Sequence, residues 1–221
     1  QQFFARTLRR KGSYVENPNF LDAESYIDTF HEPAVELVGD RLDGIIFQQE
    51  YQRVADSPSP SENVERLDTF FSTLPNDAQF HLELRSEHLL SSDYFDWLDT
   101  RGLGFVFSHW TWLPAIREQW ARCGERFTAA NDQVIARLLT PRNTKYADAY
   151  AEAYPFDAPV PALSETEQAH KMVLDTTALA YRAEAENALL NVVANNRAWG
   201  NAPDLARTIA HRILDEEEKR S

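Results

Sequence analysis

Three ionisable residues occupy every second position of "FHLELR", residues 80–85: His81, Glu83 and Arg85. Successive side chains of an extended strand point to opposite faces, so these three share one face while Phe80, Leu82 and Leu84 share the other. On an exposed edge strand such a row would simply meet water. Inside a barrel it would point into a site, with His81 deep and Glu83 and Arg85 nearer the mouth. A carboxylate there suits general-base catalysis or the binding of a hydroxyl, and a guanidinium fork suits a phosphate or carboxylate. Glu83 and Arg85, with alpha carbons about 6.6 Å apart, are equally placed to form an internal ion pair that braces the fold.

Choosing, for each further strand, the face that leaves apolar residues for covering helices adds Arg6, Gln48, Arg137 and Asn195 to the row. One glutamate does not neutralise three arginines, and a dry unpaired charge costs several kcal/mol. Arg6 and Arg137 therefore require water, another carboxylate such as Glu50, or an anionic ligand. "NNRAWGNAP" contributes Asn195, Asn196 and Arg197 at a strand end, then Gly200 and Asn201 before a helix whose Pro203 fits the first turn. Free amides there would attract an anion; the plain alternative is Asn201 as a helix cap and Asn196 as a turn residue. "SHWTWLP" sets Ser108, His109, Trp110 and Trp112 after a strand. Trp110 would offer a stacking platform, Trp112 is better suited to packing, and His109 is the candidate proton donor near neutral pH.

Other chemistries fit less well. A retaining glycosidase needs two carboxylates about 5–5.5 Å apart, and Glu83 with Glu50 is the only pair offered by these strand ends. A divalent-metal site would draw on His81, Glu83, His109 and Glu50, beside which the arginines are unfavourable. Neither a metal nor another cofactor is expected, and no GxGxxG or GxxxxGK follows a strand, as a doubly wound sheet would lead one to look for. There is no Gly-x-Ser-x-Gly, and Cys123 reads as buried and inert. His31, His88, His170 and His211 read as surface or packing residues.

The elements that would position these groups alternate. "QQFFARTLR" is followed by the helical pattern of residues 21–44, and "GIIFQQE" by a helix capped by Ser61 with an apolar stripe from Val64 to Leu74. "QFHLELR" precedes a helix around Tyr94–Leu98, and "LGFVFSHW" one around Leu113–Arg122. "DQVIARLLTP" leads to a long helix near Ser164, where Glu167 completes a capping box, and "NALLNVVANN" to a helix from Pro203. Between Arg142 and Leu163 lies a segment longer than most loops; it reads as a lid, or as a short helix over "YADAYAEAY" that plugs the fold. The tail "DEEEKRS" reads as a solvated helix end.

Six strand–helix units of about 30 residues point to a parallel sheet with crossovers. An open doubly wound sheet is one solution, but its strands would be apolar on both faces. A TIM barrel needs eight units and about 250 residues, which two additional units would supply. With 221 residues, 43% hydrophobic, the chain can bury one large core, and a single domain over 1–221 is expected. It begins at Gln1 and its one methionine is Met172, so it reads as a fragment without its natural start. A formal charge of -13 repels nucleic-acid backbone over most of the surface, so nucleic acid is not an expected partner. No run approaches the ~20 apolar residues of a membrane span. The single cysteine forms no internal disulfide, which fits a cytoplasmic protein, and the sequence carries no signal of oligomeric state.

"GDRLDGIIFQ", "LELRSEHLL", "QVIARLLTP" and "NNRAWGNAP", taken together, resemble the domain of unknown function 72 family, the YecE-like barrel proteins, particularly a subgroup with "SHWTWLP". The resemblance runs from "FFARTLR", the family's third strand, to the last helix. It implies a TIM-like (β/α) barrel with six of its eight units present and no established reaction. The chain departs from the usual pattern with Gln49-Glu50 after Gln48, where many members have Leu-Pro, and with Leu89 in place of a Trp. The expected role is an enzyme acting on a small anionic or phosphorylated, sugar-like substrate. Glu83 would be its base and His109 its acid. Arg6, Gln48, Arg85, Trp110, Arg137, Asn195, Asn196, Arg197 and Asn201 would bind the substrate. A non-catalytic barrel that binds a metabolite or protein is the alternative, and metal-dependent hydrolysis or nuclease action is an analogy of fold alone.

Overall fold

A computed structural model describes residues 5–10 and 12–220. Phe3, Phe4 and the rest of the opening tetrapeptide lie outside the described residues, as do Lys11, Ser221 and the side chains at 9, 10, 14, 216, 217, 219 and 220. The chain forms two compact units, one of Gln1–Phe105 with Thr128–Asn131 and the other of Val106–Phe127 with Asp132–Ser221.

In the first unit, strands β1 (Thr7–Arg10) and β2 (Ser13–Glu16) form an antiparallel hairpin with Arg10 opposite Ser13. This corrects the expectation that "FFARTLR" opens the parallel series. Gly12, at φ +84, takes the left-handed turn conformation, which returns the chain onto Thr7–Arg10 at once. A helical stretch follows as α1 (Ala23–Tyr26), a π-helical turn at Ile27–His31 and α2 (Glu32–Val38). Strand β3 (Ile45–Gln48) pairs in parallel with β4 (Phe80–Glu83), Gln48 lying beside Glu83, and β4 pairs with the first residues of β5 (Gly104–His109).

Aromatic packing fixes which face of these strands meets the helices. Phe47 lies 5.7 Å from Phe70 and 5.2 Å from Phe71, ring centre to ring centre, and Phe80 lies 5.7 Å from Phe71. Phe70 and Phe71 belong to α3 (Pro60–Phe71), whose buried stripe of Asn63, Leu67, Phe70 and Phe71 follows helical spacing. Gln48, His81 and Glu83 are therefore on the opposite face. The helix starts earlier than expected: Ser59, not Ser61, is the cap, its Oγ accepting from Glu62 N while the Glu62 carboxylate accepts from Ser59 N. Pro60 then occupies N1, where it has no N–H to leave unpaired. Helix α4 (Ser92–Arg101) is capped by Ser91 and tied to α3 through Asp68, which accepts from Trp97 Nε1 and Arg101 Nε at 2.7 Å each.

In the second unit the remainder of β5 pairs with β6 (Gln133–Leu138) and β6 with β7 (Leu189–Ala194), again in parallel. The parallel strands thus follow chain order, β3-β4-β5-β6-β7, in a mixed α/β structure. Helix α5 (Ile116–Arg122) follows β5, with Trp120 and Phe127 packed on Phe107. The segment after β6 is partly helical, as the alanine-rich pattern predicts: α6 (Tyr146–Ala153) and α7 (Pro161–Ser164). Helix α8 (Glu167–Ala185) is capped by Thr166, which accepts from Ala169 N at 3.0 Å, not by Ser164. Ser164 instead closes α7, donating to Val160 O. Helix α9 (Ala202–Arg220) packs on α8, where Tyr181 Oη donates to Ile213 O at 2.7 Å. Among the described residues no helix is long and apolar enough to cross a membrane.

Candidate functional site

The row that began on "FHLELR" is sealed from water. His81 and Glu83 are 0% exposed and Arg85 is 8% exposed, which excludes a solvated edge. His81 fits because its neighbours are glycines: a Cβ on Gly104 would overlap the imidazole, and one on Gly44 would stand 3.2 Å from it. Neither ring nitrogen has a hydrogen-bond partner among the described residues, and burial lowers its pKa to about 4, so the ring is neutral near pH 7.

Glu83 and Arg85 form the ion pair that their spacing allows, Oε1 to Nη2 at 3.2 Å, and the same Nη2 donates to Gln48 Oε1 at 2.9 Å. The three side chains come from the carboxyl end of β3, the carboxyl end of β4 and the residues just beyond it. The backbones are locked there as well, Gln49 N donating to Glu83 O at 2.9 Å. Ser86 holds the next stretch, its Oγ accepting from Gln52 N at 2.8 Å. Gln49, one of the departures from the usual family pattern, turns inward and donates to Asn63 of α3.

Arg6 sits apart from this row, beside a cleft of about 1330 Å³ that Glu16, Glu50, Arg53 and Arg66 also line. Its Nη1 donates to Asp56 O at 2.8 Å and its backbone N–H to Glu50 Oε1 at 3.2 Å. Burial raises the pKa of Glu50, partly opposed by that bond.

In the second unit His109 closes β5 on the helix side, the face it shares with Phe107. It is buried, and its Nδ1 lies 3.0 Å from Thr140 O. A carbonyl only accepts, so Nδ1 carries the proton and Nε2 keeps a lone pair. Burial, the largest influence, lowers the pKa to about 4. The sequence suggests a proton donor here, but the single N–H of the neutral ring is already given to Thr140, and what remains is an acceptor. Trp110 is half-buried and Trp112 is 47% exposed, so it is Trp112 that stands out into solvent. Arg137 lies half-buried on β6, beside Ser108 and Val193.

The "NNRAWGNAP" end is consumed by local structure. Asn195 Oδ1 accepts from Arg197 N, Asn196 Oδ1 from Ala202 N at 2.8 Å, and Asn201 Oδ1 from Asp204 N at 3.0 Å. With Pro203 offering no N–H, the first amides of α9 already have acceptors. The rest of the motif holds the segment before α8. Arg197 stacks 4.3 Å over the Tyr146 ring, Asn201 Nδ2 donates to Phe156 O at 3.0 Å, and Trp199 O accepts from Val160 N at 2.9 Å. Gly200, at φ +99, lies so close that a Cβ would stand 2.6 Å from Ala158 O and Val160 N. The sequence hides these roles because the partners lie some 40 to 50 residues upstream.

Cys123 is buried, donates to Trp120 O and has its thiol pKa raised by burial, as expected of an inert thiol. Among the described residues no three His, Cys, Asp or Glu side chains converge.

Fold and site define an α/β protein whose parallel strands run in chain order, with a buried polar row at two strand ends. A family model described as "Protein of unknown function DUF72" matches residues 5–221, and the chain belongs to that family. The crystal structure of a DUF72 family protein from Thermotoga maritima is similar to it at 16% identity and a TM-score of 0.47, with 89% of this chain and 65% of that chain covered. The chain therefore spans 65% of that relative's length. No curated protein matches it.

Proposed function

We propose that the protein binds and transforms a small, hydroxylated anionic compound of the sugar-phosphate or sugar-acid kind. Glu83 accepts a substrate hydroxyl or its proton, Arg85 holds the Glu83 carboxylate and faces the anionic group, and Gln48 supplies a further hydrogen bond. The observation that carries this reading is the Gln48–Arg85–Glu83 array at the carboxyl ends of adjacent parallel strands, open at the half-buried Gln48, the end at which α/β sheets receive ligands.

The strands belong, in the same proposal, to a TIM-like barrel. The supporting feature is their order, which never reverses; a doubly wound sheet has a switch point where it does. A purely binding role is the second reading, favoured by the engagement of both the Glu83 carboxylate and the Gln48 amide oxygen by one Arg85 nitrogen, which leaves Glu83 paired rather than free to take a proton.

A thermal-shift screen of the chain against sugar phosphates, sugar acids, nucleotides and simple carboxylates separates a ligand site from a structural brace. One anionic, hydroxylated class should stabilise the wild type and lose that effect in Glu83→Gln. If no such class shifts the wild type, or the variant responds equally, the array is a brace and the enzymatic reading fails.

A further inference from the structure

A second polar cavity, of about 140 Å³, lies wholly within the second unit, between the carboxyl end of β5, the start of α5 and the first half of α8. Its lining includes His109, Arg117, Arg142, Gln168, Lys171 and Asp175. The charges are not equivalent. Arg117 is fixed on Asp175, Nε to Oδ1 at 2.7 Å and Nη2 to the same oxygen at 2.6 Å, so that pair neutralises itself. Lys171 pairs with Glu167 on the open surface, at 2.6 Å, a contact that water and ligands exchange readily. Arg142 donates Nε to Leu113 O at 3.1 Å, and its two terminal nitrogens make no hydrogen bond among the described residues. His109 brings Nε2 as a bare acceptor, its other nitrogen being held by Thr140 O.

We propose that this cavity binds inorganic phosphate, with Arg142 and Lys171 donating to its anionic oxygens and His109 Nε2 accepting from its P–OH. Gln168 supplies an amide, and the Arg117–Asp175 pair a rigid wall; Glu118, which also lines the cavity, limits its positive charge. The volume admits a tetrahedral oxyanion together with several waters. A neutral imidazole acceptor selects among such ions. Sulfate has the same shape but no proton near neutral pH and would leave Nε2 facing an oxygen lone pair, and a site built to pair with a hydroxyl rejects an analogue that lacks it. This inference does not rest on the role proposed for Glu83.

The test is titration calorimetry of the chain at pH 8 and constant ionic strength with inorganic phosphate, sulfate and methyl phosphate. At that pH inorganic phosphate retains one P–OH, whereas sulfate and methyl phosphate have none. Phosphate should bind at least about tenfold more tightly than either. Arg142→Gln should weaken phosphate by about tenfold, and His109→Asn, whose amide preserves the bond to Thr140 O, should reduce phosphate to the level of sulfate. If His109→Asn does not fold, the half-buried Arg142 and the comparison of ions in the wild type carry the test. Absence of phosphate binding, binding of sulfate or methyl phosphate as tight as that of phosphate, or wild-type affinity in Arg142→Gln overturns the proposal.

Discussion

The Gln48–Arg85–Glu83 array and the Asn195–Asn201 motif use similar residues to opposite ends. In the array, charged and amide side chains from two strand ends bond to one another. In the motif, asparagines and an arginine bond to backbone amides, a backbone carbonyl and an aromatic ring, and so hold a helix start and the segment upstream of α8. The difference teaches that residue type marks a polar cluster, while the partners decide its use. A side chain that caps backbone is structural, whereas a buried charge held by other side chains, which apolar residues could replace, needs a further reason to be there.

The sharpest way to break the comparison is to remove Arg85. Arg85→Met takes the ion-pair partner from the buried Glu83 carboxylate, and a loss of about 3–5 kcal/mol is expected in urea unfolding; adding Glu83→Met should recover most of it. A smaller effect comes from acid. His81 and His109 have folded pKa values of about 4, below the ordinary value near 6.5. The unfolded chain therefore binds more protons between these values. The stabilisation is complete above pH 6.5 and is lost as the pH falls towards 4. Unfolding at pH 7 and pH 5 should differ by about 2 kcal/mol for each histidine, and His109→Asn should shrink the fall by about half.

On the motif side, Gly200→Ala combines a left-handed backbone with a Cβ against Ala158 and Val160. It should cost about 1–3 kcal/mol and bring new proteolytic cuts between residues 142 and 163. Asn201→Ala removes the cap of α9 and should cost about 1 kcal/mol, visible as a small drop in thermal midpoint.

The face of β4 was legible because strand alternation is strict and Phe80, Leu82 and Leu84 leave no doubt about the apolar side. The parallel strands from β3 onward were legible for the same reason. Strand β1 was not, because its partner is chosen by the turn at Gly12 rather than by its own pattern. The caps of α3 and α8 were misplaced by two residues each: several Ser and Thr stand close together, and Pro60 and the end of α7 decide between them. The orientation of His109 could not be read at all, since Thr140, which fixes its tautomer, belongs to another strand's end.

The most direct test is calorimetric titration of whichever anionic, hydroxylated compound stabilises the chain, into Glu83→Gln and Arg197→Lys in parallel. The account predicts that Glu83→Gln loses at least about tenfold in affinity, the scale of one charged hydrogen bond, while Arg197→Lys binds as the wild type does. Unchanged binding in Glu83→Gln with binding lost in Arg197→Lys would contradict it and transfer the site to the motif.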